Sequence, residues 1–328
     1  DAFLSLPEEE MFKYFDIFKH TLSGTVGKNL MTMEFPLDQE LEGGAQELLL
    51  KLRDTKLTDD LLLEEFYDKV IENYEFAENY YIILIHAAYD VPGKSSDNME
   101  MFDASDTVYE HIMCSICPVK LTKAGLTYNA EKNNIEDRIR DWFVEMPATG
   151  FLFPAFQDRA SDVHHVLYYS KKPEDLQPDF IANVLGNITP LTAKDQKTTF
   201  QSLVSDTLGE DCDYDTVRNI HDNLNELMEE ANESPDPLEL SRPDVKHLLE
   251  RSGVPEEKME HFDKNFEEAV GEKNTLLASN IASVKTFQIE TPDIVAKVNP
   301  ERSREIDGRR CLVIAIDDHL EVNGIEVR

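Results

Sequence analysis

The amino-acid sequence predicts an α+β protein, and three observations carry that reading. Helical patterning, strand patterning, helical patterning and strand patterning follow one another in blocks, without the βαβα alternation of a parallel sheet. Apolar residues make up 41% of the 328 positions, with 17 Phe and 11 Tyr spread along the chain, which is enough to build a sizeable core. Gly and Pro punctuate the blocks where helix starts and stops want them.

Residues 5 to 22 read as an amphipathic helix. Ser5 and Glu8 form an S-x-x-E capping box, and Met11, Phe15, Phe18 and Leu22 fall on one stripe. Residues 45 to 53 and 58 to 76 are again helical, the second with Thr58 as N-cap. The run "NYYIILIHAAY" is aromatic and β-branched, the pattern of a buried strand. From about 107 to 170, "VYEHIMCSICPVKL", "GLTYNA", "RDWFVEM", "TGFLFPAF" and "VHHVLYYSK" predict short antiparallel strands in a meander. The single Trp, Trp142, is expected in their core. Residues 176 to 271 are helical, with stops at Gly186, Gly209, Gly253 and Gly271, a Ser241 cap and a start at Pro255. The tail from 284 returns to strands and ends in "HLEVNGIEVR", where Asn323-Gly324 suits a tight hairpin turn. These blocks divide the chain into residues 1–172, helices plus antiparallel sheet; 173–283, helical; and 284–328, C-terminal strands, with packing of these strands on the helical region as an open alternative. The chain starts at Asp1 and leaves little strand after Gly324, so the natural protein is expected to extend beyond both ends.

A formal net charge of −34 repels nucleic acid and anionic membranes at long range, while leaving room for a local basic patch. No apolar run reaches the roughly 20 residues that span a bilayer. The four cysteines, Cys114, Cys117, Cys212 and Cys311, are too sparse for a disulfide scaffold and place the expectation in the reducing cytoplasm.

Several stretches spell functional motifs. "AYDVPGKS" fits a loose phosphate-loop pattern, in which Gly93, Lys94 and Ser95 would hold phosphate and Mg²⁺, and Asp317, at the end of "CLVIAID", would support the metal. That chemistry needs a strand, a turn and then a helix whose first turn contains the Lys-Ser pair. The polar "SSDNMEMFDASD" lacks a helical stripe, so a surface loop after a buried strand is the plainer reading. His111, Cys114 and Cys117 lie three apart, and on a helix they would share a face and could begin a zinc site. Without a fourth ligand they read as small buried hydrophobes. "DCDYDTVRNIHD" has acids at positions 1, 3, 5 and 12 of a calcium loop, with Thr216 where Gly is needed. An acid-rich helix start explains it as well. His164 and His165 are adjacent on a strand and so face opposite sides. Arg302, Arg304, Arg309 and Arg310 form the one local basic stretch and are candidates for phosphate contact. Glu301, Glu305 and Asp307 are interleaved with them.

The stretches "AFLSLPEEEMFKYFDIFKHTLSGTVGKNL", "YDVPGKSSDNMEMFDASDTVYEHIMCSICPVKL", "MPATGFLFPAFQDR" and "LLASNI" resemble a bacterial family, found mainly in Firmicutes, known as domain of unknown function 4317. The resemblance spans essentially the whole chain and implies a bacterial cytosolic protein. It brings no activity and no catalytic residue. The order of elements around "FIANVLGNITPLTAKDQKTTFQSLV" and "HLEVNGIEV" also resembles the plan of bacterial nucleoid-associated proteins, through residues such as Leu185, Gly186, Lys194 and Gln196. The expectation is a non-enzymatic intracellular protein without cofactor, nucleoid-associated or a protein-interaction module, with nucleic acid or another protein as partner and no membrane.

Overall fold

The first helix starts two residues later than its capping box implied. In the computed structural model Phe3–Ser5 is a 3-10 turn, and α1 runs Glu8–Thr21 from an N-cap at Pro7. Glu8, Glu9 and Glu10 in its first turn and Lys19 and His20 in its last complement the helix dipole. The structure describes residues 3–94, 100–101, 107–157, 159–209, 212, 214–231, 237–271, 274–281, 287–290, 295–298, 302–306, 308–313, 320–322 and 325–327.

Beyond α1 come β1 (Leu30–Glu34), α2 (Ala45–Asp54) and α3 (Asp60–Asn73). The cap of α3 is Asp59, whose side chain accepts from the Leu61 and Leu62 amides, and Thr58 instead donates to Thr55 O at 2.6 Å. The carboxylate wins because it sits one residue closer, at the end of a left-handed excursion through Lys56 and Leu57. The predicted apolar strand is β2 (Tyr80–Val91), followed by β3 (Gly93–Lys94), β4 (Glu100–Met101) and the long β5 (Thr107–Leu121). Then come β6 (Leu126–Asn129), β7 (Asn134–Asp137), β8 (Trp142–Val144), β9 (Thr149–Phe153), β10 (Ala155–Gln157), β11 (Ala160–Asp162) and β12 (His165–Ser170). The short α4 (Pro178–Asn183) follows.

The central sheet has the order β1-β12-β9-β5-β2, all antiparallel, with β8 pairing the end of β5. The strand period of two sorts its side chains. Ile112, Cys114, Ile116, Phe151, Phe153, Val166 and Tyr168 share one face. There they pack with Leu48, Leu49 and Leu52 of α2, Phe66 and Val70 of α3, and Phe180 and Ile181 of α4. Met113, Cys117, Leu152 and Ile83 share the other face and pack with Phe18 of α1. Helices therefore cover both faces of one sheet. Buried hydroxyls are paired as burial demands: Thr21 Oγ1 to Ser115 Oγ at 2.7 Å, Tyr74 Oη to Thr149 Oγ1 at 3.1 Å, and Tyr168 Oη donating to Leu176 O at 2.7 Å.

The predicted stripe on α1 is only partly buried. Phe18 is buried, whereas Phe15 and Leu22 are exposed, because the helix sits on the sheet through Phe18 and Thr21, with Tyr14 and Ile17 beside them.

The second half holds α5 (Ala193–Leu208), α6 (Tyr214–Glu230), β13 (Glu239–Leu240), α7 (Arg242–Arg251), α8 (Phe262–Ala269), β14 (Leu276–Leu277) and α9 (Ala278–Ile281). The predicted start at Pro255 is the N-cap of a separate 3-10 turn, Glu256–Met259, ahead of α8. The Ser241 cap forms: its amide donates to Asp244 Oδ2 at 2.9 Å. Gly209, Gly253 and Gly271 end helices at positive φ, where glycine is unstrained. Three hairpins follow: β15 (Phe287–Glu290) with β16 (Val295–Val298), β17 (Arg302–Ile306) with β18 (Arg309–Val313), and β19 (Leu320–Val322) with β20 (Ile325–Val327). Asn323 and Gly324 lie outside the described residues.

Compact units divide at Thr192/Ala193, twenty residues after the boundary read from the sequence. The reason is α4, whose Phe180 and Ile181, with Val184 and Leu185 just beyond, complete the core under the sheet and so belong to the first unit. The helices from α5 and the C-terminal hairpins fall together in the second. No helix among the described residues is long and apolar enough to cross a membrane.

Candidate functional site

Between β5 and β9 the chain leaves the sheet as a two-stranded ribbon. Its base is the β5–β8 ladder, with Val119 opposite Val144 and Leu121 opposite Trp142. Its tip is the β6–β7 ladder, with Leu126 opposite Asp137 and Tyr128 opposite Ile135. Leu126 lies five positions after Leu121 and Trp142 five positions after Asp137, so base and tip share one register. Thr122 N donating to Asp141 O and Arg138 N donating to Gly125 O keep that register in between. The tip is closed by local chemistry. Asn129 Oδ1 accepts from the Glu131 and Lys132 amides, and Asn133 turns the chain at φ 45°.

The tip has two unlike faces. Thr127, Asn129, Asn134 and Glu136 form the polar one. Here Asn129 Nδ2 donates to Glu136 Oε1 at 2.6 Å and Lys132 Nζ pairs with Glu136 Oε2 at 3.1 Å, and these two partners hold the Glu136 carboxyl below its ordinary range. Leu126, Tyr128 and Ile135 form the other together with Asp137, and among the described residues nothing apolar covers it. The three apolar side chains are 74%, 62% and 63% exposed; farther down the ribbon Ile139, on the same face, is 82% exposed and Trp142, on the opposite face, is 60% exposed. Trp142, expected in the core, therefore stands in water. Its strand pairs only with the last turnout of β5, beyond the part of the sheet that the helices cover. From Lys123 to Val144 every residue except Asn129 and Glu136 is exposed.

An amphipathic ribbon is half of a layer pair. A sheet with an apolar face is stable when that face packs on another element, and a lone two-stranded hairpin is marginal in water. What the arm can do chemically is offer exposed apolar side chains, interleaved with Asp137 and Asp141 along one strand, with main-chain edges beside them.

Among the described residues, those singled out from the sequence are not assembled into one site. Gly93 and Lys94 lie in β3, paired with Met101 and Glu100 of β4, so the Lys of the phosphate-loop pattern is in a strand and not in a helix's first turn. Ser95 and Asp317 lie outside the described residues. His111, Cys114 and Cys117 lie on a strand, where spacing of three alternates faces: Cys114 enters the core under α2 and α3, and Cys117 the one under α1. They cannot ligate one ion together, and among the described residues no group of three or more His, Cys, Asp or Glu is placed to hold one. Burial pushes the Cys117 thiol up to about 12 and the Cys114 thiol higher still, away from thiolate chemistry. Residues 214 to 222 of the calcium-loop pattern are helical, in α6, so that loop is not formed. His164 pairs with Glu40 at 2.6 Å and His165 with Asp162 at 2.8 Å, each on its own carboxylate. The arginines belong to the β17–β18 hairpin. Register places 302, 304 and 309 on one face and 310 on the other, opposite Glu305.

Comparison with known proteins adds a family. The family described as Domain of unknown function (DUF4317) matches residues 1–325. The chain belongs to this family. No curated protein and no solved structure matches the chain, nucleoid-associated proteins included.

In this DUF4317 chain the arm was not singled out from the sequence, although a signal was present. Residues 119–145 contain five bases (Lys120, Lys123, Lys132, Arg138, Arg140) and five acids (Glu131, Glu136, Asp137, Asp141, Glu145), a net charge of zero in a chain of net −34. That electrically neutral island also carries Leu126, Tyr128, Ile135, Ile139 and Trp142, and the coincidence is the signal the sequence offered.

Proposed function

We propose that this chain is a non-enzymatic protein-interaction module that docks through the β6–β7 arm. The observation that carries this is the uncovered apolar face of Leu126, Tyr128 and Ile135 on a ribbon whose opposite face is satisfied by its own hydrogen bonds. A patch of this kind marks a contact surface. The test is a photo-crosslinking residue placed at Tyr128 or, on the other face, at Thr127, in cells that express the protein. The expected result is a discrete adduct from position 128 and little from 127. Equal or absent adducts at both positions overturn the reading.

One observation favours a second reading, nucleic-acid contact as in nucleoid-associated proteins: the shared face of positions 302, 304 and 309 on β17–β18. Arginines on one face of a ribbon suit phosphate contact. Gel-shift titration at low salt would show binding that weakens steeply as salt rises and that Arg302→Ala/Arg304→Ala reduces. A flat titration removes this reading.

A further inference from the structure

We infer that a second copy of this chain pairs with the open edge of the central sheet, β2 on β2, about a two-fold axis at Ile85. This surface is separate from the arm and does not rest on it. The strand β2 is the last on its side of the sheet. One hydrogen bond shows which of its main-chain groups face outward. Val119 N donates to Asn79 O at 2.8 Å, and these two residues continue the β2–β5 register by one step. Antiparallel pairs alternate between exchanging hydrogen bonds and not. The odd-numbered residues of β2 therefore spend their main-chain groups on β5. Tyr80, Ile82, Leu84, His86, Ala88 and Asp90 point theirs away from the sheet. Among the described residues no main-chain hydrogen bond from outside the β2–β5 ladder reaches those six.

Open edges are ordinarily guarded by short length, by Lys or Pro, or by a bulge. The opposite edge is guarded: β1 is five residues long, and Gly27 N donates to Leu30 O at 2.7 Å across part of it. By contrast β2 is twelve residues long, contains no Lys, Arg or Pro, and carries one acid, Asp90, beside its end. Its register with β5 is unbroken, so no bulge turns it aside.

Length and symmetry choose the occupant. A strand of the usual five or six residues or so would fill about half of this edge, whereas a second β2 fills all of it. Nucleic acid finds no cation on the strand, and a basic protein finds one acid. An axis at Ile85 puts Tyr81 opposite the partner's Tyr89. The two are 48% and 49% exposed on the face that α1 covers, and they fall in a non-hydrogen-bonded pair, where side chains approach most closely. The same axis sets each Asp90 opposite the partner's Tyr80, so the two Asp90 carboxylates stand roughly 30 Å apart at strand rise, well beyond screening range. The axis is normal to the sheet, so the two sheets run on as one. Only the guarded β1 edges are left at its ends, and the contact closes at two copies.

Sedimentation equilibrium of the purified chain across a salt series tests this. Copies of net charge −34 repel at long range, so the dimer should tighten as salt rises, the opposite of an ion-paired contact. Ala88→Pro removes one outward N–H and leaves the β5 ladder whole; it should raise the dissociation constant at least about tenfold. A thermal melt matching the parent confirms that the variant folds. Where the melt falls, Tyr89→Lys, at an exposed side chain, takes its place with the same expected effect. The axis has its own reporter. In a Cys212→Ser/Cys311→Ser background, whose remaining cysteines are buried, mild oxidation of a mixture of Tyr81→Cys and Tyr89→Cys chains should give a disulfide-linked dimer, and either chain alone should give none. A chain that stays monomeric up to near-millimolar concentration, a dimer that these variants leave unchanged, or a dimer that dissociates as salt rises overturns the inference. No crosslink from the mixture, or a crosslink from one chain alone, overturns the axis at Ile85. The crosslink at position 128 does not depend on β2, so this inference and the docking reading fail separately.

Discussion

His164 shows how one neighbour sets a residue's behaviour. It sits 2.6 Å from the Glu40 carboxylate, whose hydrogen bond and charge raise its pKa above the ordinary 6.5. A raised histidine binds its proton more tightly in the folded chain. The stability it lends is therefore fully present below pH 6.5 and is lost as pH rises through the raised folded value. The ring is exposed to solvent, so the effect is small in energy and best seen directly. NMR titration should place the His164 midpoint above that of a free histidine, and Glu40→Gln should bring it back. Of this, the sequence showed only two adjacent histidines on opposite sides of a strand; Glu40 is 124 positions away and no spacing announces it. Cys114 and Cys117 make the complementary point. Their spacing suits a helical ligand pair, and it lost that meaning once "VYEHIMCSICPVKL" folded as strand, the state its own β-branched and aromatic content favours.

Elements were more legible than contacts. The α+β class, the buried strand β2, the antiparallel meander and most helices of the second half follow from periodicity and from Gly and Pro. Three details did not, each because tertiary packing outvoted a local signal. The Ser5 box lost to an entry at Pro7, Phe15 and Leu22 of the α1 stripe stayed exposed, and Trp142 stayed outside the core. The seat of α1 also makes a sharp prediction. At Gly150 of β9 a Cβ would overlap the Cys114 carbonyl oxygen and the Thr21 Cγ2. Backbone cannot yield there as a flexible side chain would. Gly150→Ala should cost about 1–3 kcal/mol, the range of overpacked cores, read as a lower urea midpoint with unchanged slope. A midpoint equal to that of the parent chain would mean that α1 and β9 are not held this closely.

At the scale of the molecule, the division at Thr192/Ala193 predicts that residues 1–192 alone form their sheet and melt in one cooperative step. A chain ending at residue 172, the boundary read from composition, would lack Phe180 and Ile181 and should melt many degrees lower or not fold. Circular dichroism of the two fragments decides the matter. The boundary was illegible because α4 looks like the first of a helical series, and only its buried aromatic shows which core it fills. Charge, by contrast, was legible as a total but not as a map. The arm from Val119 to Asn129 spans ten residue-to-residue steps of extended chain, a reach of roughly 30 Å at strand rise. Ionic screening in physiological salt decays over about 8 Å. The tip therefore stands several screening lengths out along the ribbon from its root, where the field of the sheet it springs from has largely died away. On the proposed docking role, a strongly acidic protein gains from such a stalk the freedom to stay dispersed everywhere else and still be touched at one end.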